Sequence, residues 1–359
     1  MQHENQSRDF VQGTATEILT ELINILIFNK TAVANGFRRI VAMVWGDTST
    51  AKSSIGHEAF NLSGYNTPWD FRANLYEPPD LIGFPLVINK DSDYPKSIHA
   101  PLARLPEKGD PGNGKPDGMI IDELPNAEKD MQSALYQLVY DFMVGNVVLP
   151  DDYSIICFGN RAQDHAGINE MPQPLKERMR HYEIVISIDS WAVWATKNKI
   201  NPIIIAFLRM FPQYLHNIDH EQYISPTPRM WEMLSNSLTL PTPNRLLTVQ
   251  SCVGLGAARA YLTFEKEAAH MPDIDELLTN PTQVNIPDGS ILYAICTALA
   301  VHANKNNFSQ VLKFLDRLQP EYATFVVRDA IQSKPYLADS VEFSGPGGWA
   351  ERNAEIMLG

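Results

Sequence analysis

The sequence predicts an α/β fold in which helices sandwich a parallel sheet, followed by helical parts. Two short apolar segments, 120–123 and 154–160, each end in polar side chains. This pattern is typical of neighbouring parallel strands that present functional groups at their carboxyl edge. A third apolar segment, 41–45, leads into a polar loop and a helical pattern, and strand signals largely vanish after about residue 191.

The spacing of apolar residues and of proline and glycine predicts each element in turn. Apolar residues at helical spacing predict a helix over 14–34. A strand at 40–45, a loop at 46–52 and a helix at 53–61 then form a strand–loop–helix unit. Prolines and glycines without periodicity predict a long exposed loop or insertion at 89–117. The next predicted elements are a strand at 118–122, a helix at 128–144, a strand at 153–158, a short helix after 171–174 and a strand at 181–188.

The composition indicates an acidic globular chain with a sizeable core. Its 359 residues exceed the roughly 250–300 at which single cores stop growing, and 44% of them are hydrophobic. The formal net charge of −13 disfavours a duplex-binding surface, because counterion release requires clustered Lys and Arg. A DNA motor or loader is therefore a disfavoured alternative, kept open by the mixed charges of the 89–117 segment.

Cysteine usage and hydropathy predict the compartment. Cys157, Cys252 and Cys296 all lie in apolar segments without metal-ligand spacing, which predicts buried and reduced thiols. No window approaches the roughly 18–20 apolar residues of a membrane span, and the N-terminus carries no secretion signal. We therefore expect a cytoplasmic protein without membrane contact.

The 46–54 segment has the pattern of a phosphate-binding loop that has lost two glycines. In such a loop, backbone N–H groups at a helix N-terminus cradle phosphate oxygens, a Lys pairs with the outer phosphates, and Ser or Thr holds Mg²⁺. A strand-to-helix turn that happens to contain a lysine is the alternative. The predicted nucleotide-binding residues are Gly46, Asp47, Thr48, Ser49, Thr50, Ala51, Lys52, Ser53 and Ser54, with Ser49 and Ala51 in the places of glycines.

An acidic pair and an amide at strand ends predict hydrolysis of the bound nucleotide. Asp122 is expected to hold Mg²⁺ together with Ser53, and Glu123 to polarise the attacking water. Asn160 would order that water or contact the γ-phosphate. A solvated turn with polar residues is the alternative for each. Together with the loop, these groups predict an ATPase that uses ATP, ADP and Mg²⁺.

Two arginines on the 174–180 segment are candidates for completing a neighbouring subunit's site. Either Arg178 or Arg180 could supply positive charge to that nucleotide, and such arginine fingers contribute on the order of 10³–10⁵ in rate. An exposed helix with alternating charge is the alternative, and without the other motifs it would be favoured.

The order of these motifs resembles that of the AAA+ ATPases, and within them the MoxR-type branch of bacteria and phages, over roughly residues 15–345. The chain carries the branch's Asp-Leu-x-Gly element at 80–83, a Walker B strand at 118–124, and a sensor 1 strand at 149–161 that ends near Asn160. The resemblance therefore implies a P-loop AAA+ sheet and makes Asn160 the sensor.

Two arginines receive roles from the same resemblance. Arg178 lies where members of the family have an Arg-Phe pair that contains the arginine finger. Because Met179 follows it here, Arg180 is the alternative candidate. The 225–232 segment resembles the start of the helical lid, which carries sensor 2, and this implies that Arg229 reaches the nucleotide.

The resemblance also implies domains and partners. The chain would comprise an N-terminal helical segment (1–35), an AAA+ nucleotide-binding domain (36–190), a helical lid (191–250) and a helical C-terminal region (251–359). It would form a homo-oligomeric ring, usually a hexamer, that remodels a protein partner in a bacterial or phage-infected cell. A frequent partner of the branch contains a von Willebrand factor A domain.

The departures from the family pattern keep other interpretations open. The loss of glycine at Ser49 and Ala51 favours a nucleotide-dependent scaffold protein with little turnover as the alternative function. The insertion before the Walker B strand could face a central pore with its basic residues, although a solvated loop explains them equally well. These residues are Arg104, Lys108 and Lys115.

Overall fold

The computed structural model describes residues 10–47, 52–91, 96–100, 104–109, 114–160, 171–219, 221–241 and 243–354. The chain divides into two compact units, Met1–Val185 and Ile186–Gly359. The first unit contains the sheet, and every element that the structure describes in the second unit is a helix. The four-domain division drawn from the sequence stays a prediction.

The first unit alternates strands and helices. Its strands are β1 (Val11–Gly13), β2 (Val41–Trp45), β3 (Trp69–Arg72), β4 (Phe84–Ile88), β5 (Lys96–Ala100), β6 (Gly118–Asp122), β7 (Met143–Val144), β8 (Val147–Val148), β9 (Ser154–Gly159) and β10 (Met179–Ile184). Its helices are α1 (Ala15–Ala32), α2 (Lys52–Leu62), α3 (Pro78–Ile82), α4 (Lys129–Asp141) and α5 (Gln173–Lys176).

The main sheet has six strands in the order β1-β10-β2-β9-β6-β3, and all of its neighbours pair in parallel. Strands β2 and β9 are buried along their whole length, as expected for the centre of a parallel sheet covered on both faces. The predicted α/β fold with a helix-flanked parallel sheet is confirmed. The carboxyl ends of β2, β9 and β6 consequently lie side by side at one edge.

Alternating side chains of β2 show the two covered faces. Val41 and Met43 pack in one apolar cluster, which also includes residues of α4. Ala42 and Val44 pack in a second cluster, which contains buried residues of α1 and α2. Because side chains of a strand alternate between the faces of a sheet, α4 covers one face and α1 with α2 covers the other.

The second unit consists of α6 (Ile188–Lys197), α7 (Pro202–Met210), α8 (Pro228–Ser237), α9 (Arg245–Ala268), α10 (Ile274–Thr279), α11 (Gly289–His302), α12 (Phe308–Leu315), α13 (Pro320–Ser333), α14 (Val341–Ser344) and α15 (Trp349–Arg352). Its core has two apolar clusters, one around Trp231 and the other around Trp349. Within the described ranges, no helix has both the length and the apolar character that crossing a membrane requires.

The predicted 89–117 loop is the main difference between the expected and the observed elements. Part of it is strand β5, which pairs antiparallel with β4, and Leu105 is buried in the core at 2% exposure. The strand was missed because its sequence, Lys-Ser-Ile-His-Ala, contains one β-branched residue and depends on its partner for pairing. Of the three basic candidates in this region, Lys108 forms an ion pair with Asp151 at 2.7 Å, and Arg104 is exposed.

Other boundaries shift by a few residues. The last strand of the sheet is Met179–Ile184 rather than 181–188, and the short strands β1 and β3 were not predicted. The expected burial of the three cysteines is confirmed, since Cys157, Cys252 and Cys296 are all free and buried.

Candidate functional site

Lys52 connects the start of α2 to the end of β9. Its Nζ donates to the Asn160 side-chain oxygen at 2.8 Å and to the backbone oxygens of Gly46 and Asp47 at 2.9 and 2.8 Å. Both Lys52 and Asn160 are buried, at 9% and 6% exposure. The predicted lysine and the predicted sensor amide are therefore in direct contact, although 108 positions separate them in the chain.

Ser53 makes the corresponding connection to the end of β6. Its hydroxyl donates to Asp122 Oδ2 at 2.7 Å. A hydroxyl and a carboxylate side by side are hard oxygen ligands, which suit Mg²⁺ when phosphate oxygens and water complete its coordination. The two residues predicted to hold the metal therefore fit that role chemically.

Glu123 follows Asp122 in a left-handed backbone conformation, with φ 58° and ψ 30°. Burial raises the pKa of its carboxyl group, and the neighbouring charge of Asp122 raises it further. Lys52, Arg72 and a hydrogen bond from Asn126 act in the opposite direction. A carboxylate with a raised pKa is a stronger base, which favours the role of accepting a proton from water.

The predicted phosphate-binding loop is described at its two ends. Gly46 donates its backbone N–H to the Gly159 oxygen at 3.3 Å, which joins the start of the loop to the end of β9. Ser54 is exposed on the first turn of α2. The four predicted residues between these ends, Thr48, Ser49, Thr50 and Ala51, lie outside the described residues.

The two candidate finger arginines have different surroundings. Arg178 is half-buried, and its guanidinium lies over the rings of Tyr136 and Tyr140 on α4, at 4.1 and 4.2 Å from their centroids. It also donates to the backbone oxygen of Pro174. Arg180 is exposed and lies 3.7 Å from the Glu21 carboxylate. The role of each stays a prediction.

Arg229, the predicted lid arginine, belongs to the second unit. It is the second residue of α8, a helix whose first turn is capped by the Thr227 side chain accepting from the Met230 N–H. Its predicted reach to a nucleotide stays a prediction.

Sequence reasoning assigned no role to Asn126 and Arg72, which both act on Glu123. Asn126 stands three residues after Glu123, and that spacing is compatible with a side-chain contact across a tight turn. Arg72 ends the edge strand β3, which was not predicted. The spacing of Asn126 from Glu123 could therefore have indicated its contact, whereas the position of Arg72 follows only from the order of the strands in the sheet.

No protein-family model and no curated protein matches the chain. Among solved structures it is similar to a mutant of RuvB from Thermotoga maritima, at 14% identity and a TM-score of 0.39, over 80% of this chain and 83% of that one. It is also similar to NtrX of Brucella abortus in complex with ADP, at 12% identity and a TM-score of 0.39, over 96% of this chain and 68% of that one. These similarities are weak, so the activity of the site is inferred from its own residues.

Proposed function

We propose that the first unit binds ATP with Mg²⁺ and hydrolyses its β–γ phosphoanhydride bond, as the nucleotide-binding domain of a MoxR-type AAA+ ATPase. One observation carries the proposal: consecutive residues at the start of α2 contact the ends of two adjacent parallel strands. Lys52 contacts Asn160 after β9, and Ser53 contacts Asp122 on β6. A helix N-terminus, a lysine, a hydroxyl and carboxylates then share one edge, which is the chemistry that phosphoryl transfer requires.

Each residue has a distinct role in this proposal. Lys52 pairs with the outer phosphates, and the N-terminus of α2 adds its partial positive charge. Ser53 and Asp122 hold Mg²⁺, which when bound neutralises charge on the phosphate oxygens. Glu123 takes a proton from the attacking water, and Asn160 orients that water or the γ-phosphate.

The assembly is part of the proposal. The chain forms a homo-oligomeric ring, a hexamer in this branch, in which Arg178 serves the neighbouring subunit's nucleotide and Arg229 contacts nucleotide from the lid. The ring remodels a protein partner, frequently one with a von Willebrand factor A domain, in the cytoplasm of a bacterium or a phage-infected cell. The motif order along the chain supports this extension.

The decisive experiment measures ATP turnover by the full chain with Mg²⁺, at protein concentrations that span assembly. We expect turnover per subunit to rise with concentration, to disappear in Lys52→Ala, and to fall on the order of 10²–10³-fold in Glu123→Gln while ATP binding is kept. Lys129→Ala is the matched control, because Lys129 is also the first residue of a helix and is exposed.

The outcomes of this experiment distinguish an ATPase from a nucleotide-dependent scaffold protein. Turnover that survives Lys52→Ala would contradict the assignment of the site. ATP-dependent assembly without turnover would favour the nucleotide-dependent scaffold, an alternative supported by Ser49 and Ala51 in the places of glycines. In that case, restoring glycine at both positions should raise turnover, because glycine permits a closer approach of backbone to phosphate.

A further inference from the structure

A single-turn 3₁₀ helix, Leu124–Asn126, follows the Walker B strand directly. The residue before it, Glu123, has the left-handed backbone conformation, which is unfavourable for a residue with a side chain. The backbone N–H of Glu123 donates to Asp122 Oδ1 at 3.0 Å, and the backbone N–H of Asn126 donates to the backbone carbonyl oxygen of Glu123 at 2.9 Å. The backbone around the acidic residue is therefore held in one specific conformation.

The same turn is fixed against the strand that leads to the sensor. Pro125 is buried, and its ring lies against Gly159, the residue before Asn160. A Cβ atom at Gly159 would lie 2.5 Å from two atoms of that ring and 2.7 Å from Met43 Cε, closer than packed atoms allow. The contact requires glycine at this position, and it keeps the turn and the sensor strand in register.

The Asn126 side chain contacts the acidic residue itself. Its Nδ2 donates to Glu123 Oε2 at 2.7 Å, a distance typical of a strong hydrogen bond to a charged acceptor. The last torsion of a glutamate side chain is broad, so an unheld carboxylate samples many orientations. One bonded oxygen restricts that rotation and fixes the direction of the other oxygen.

We propose that Asn126 is a positioning residue, which holds the Glu123 carboxylate in the orientation needed to accept a proton from the attacking water. This role rests on the proposed ATPase function. Asn126 acts through Glu123 and is not assigned a contact with nucleotide. The Pro125–Gly159 contact places the same turn beside the sensor strand, so the two groups that address the water keep a fixed separation.

The test compares steady-state turnover of Asn126→Ala and Asn126→Asp with that of the parent chain. We expect kcat to fall about 10–100-fold in both variants, because small displacements of a catalytic group cost this much, while the KM for ATP changes less than about twofold. Asn126→Asp keeps the size of the side chain but replaces the donated N–H with a negative charge beside Glu123, whereas Asn126→Ala removes the bond without adding charge, so the two variants together separate the hydrogen bond from packing and from charge.

Two controls make the role specific. Asn66→Ala removes the same kind of bond elsewhere in the unit, where Asn66 Nδ2 donates to Asp117 Oδ2 at 3.0 Å, and its kcat should stay within about twofold of the parent's. In a Glu123→Gln background, Asn126→Ala should change single-turnover hydrolysis by less than about twofold, because it acts through the missing carboxylate.

Three results would overturn the role. An unchanged kcat in Asn126→Asp would show that the hydrogen bond does not matter. A full loss that persists in the Glu123→Gln background would show that Asn126 acts independently of Glu123. Absence of Lys52-dependent turnover in the parent chain would overturn the ATPase function itself, and the positioning role with it.

Discussion

Hydrogen bonds from buried cations end on different acceptors in the two units. In the first unit, Lys52 donates to two backbone carbonyls and to the Asn160 side-chain oxygen, and these three acceptors are neutral. In the second unit, Arg209 on α7, whose side chain is 4% exposed, donates to the carboxylates of Asp329 on α13 and Asp189 on α6. These three bonds of Lys52 end on neutral groups, whereas the ion pairs of Arg209 end on carboxylates that oppose its charge.

The difference separates the proposed binding site from a structural network. A buried charge without compensation costs several kcal/mol, so a permanent structural cation is placed against carboxylates, as Arg209 is. The hydrogen bonds of Lys52 hold its ammonium group beside the ends of β2 and β9, where the proposed site would place the outer phosphates, whereas the carboxylates around Arg209 favour stability.

The largest expected effect is on turnover and comes from Arg178, a cation of the first unit that lies against neutral groups. Arg178 lies over the rings of Tyr136 and Tyr140 and donates to a backbone carbonyl. We expect Arg178→Ala to lower turnover by at least the order of 10³, since an arginine finger has effects of this size. The free energy of unfolding should fall by only about 1 kcal/mol, because exposed or partly buried cation–π contacts contribute little. Turnover and chemical denaturation of the same preparation measure both quantities.

Arg180→Ala is the paired variant, because Arg180 is the other candidate for the arginine finger. It is exposed and lies 3.7 Å from the Glu21 carboxylate. Its turnover should remain within about twofold of the parent's if Arg178 is the finger, since exposed ion pairs are weak. The reverse ranking of the two variants would assign the finger to Arg180. A large loss of stability in Arg178→Ala, with kcat kept, would make Arg178 structural and weaken the contrast between the units.

The second expected effect is on stability. Arg209→Met should reduce the free energy of unfolding of the second unit by about 3 kcal/mol, because it leaves the carboxylate of Asp329, which is 1% exposed, without its main partner. Denaturant unfolding of the full chain with Trp45 and Trp69 replaced by Phe, so that tryptophan fluorescence reports the second unit, measures the change.

The control for this substitution is an exposed ion pair of the same unit. Arg352 and Asp316 lie 3.3 Å apart with side chains 56% and 40% exposed, so Arg352→Met should cost at most about 1 kcal/mol. Equal losses in the two arginine variants would show that burial of the network around Arg209 does not set its contribution.

The sheet and its polar edge could be predicted from the sequence because both depend on local patterns. Asp122, Glu123 and Asn160 follow apolar segments of strand length, and parallel strands place such residues at one edge. The Lys52–Asn160 contact follows from this geometry in outline. The distance between Lys52 and Asn160 cannot be predicted in this way, because the loop conformation and the start of α2 determine where the ammonium group of Lys52 lies.

Other features required the folded chain. The spacing of Asn126 and Glu123 is compatible with a contact, but the bond between them also depends on a left-handed glutamate and a 3₁₀ turn, which the residue types alone do not specify. Arg178 meets its tyrosines only because α4 packs beside the segment before β10, which brings together positions about 40 apart. Strand β5 forms through pairing with β4, and its own sequence has weak β-propensity.

The smallest expected effect is on the Mg²⁺ concentration that turnover requires. Ser53 donates its hydroxyl to Asp122 at 2.7 Å, and in the proposed site these two residues would hold Mg²⁺. We expect Ser53→Ala to raise the Mg²⁺ concentration needed for half-maximal turnover roughly 10-fold, with the rate at saturating Mg²⁺ largely recovered. A Mg²⁺ titration of turnover at fixed ATP measures this shift.

Ser133→Ala serves as the control, because Ser133 is a helical serine whose hydroxyl donates to the Lys129 backbone oxygen, away from the acidic pair. Its Mg²⁺ requirement should match the parent's. If Ser53→Ala instead lowered the rate at every Mg²⁺ concentration by the same factor, the serine would act on the fold or on the nucleotide. The contact of Lys52 with Asn160 would then still support the proposed phosphate site, while the adjacent oxygens of Ser53 and Asp122 would no longer support a metal site.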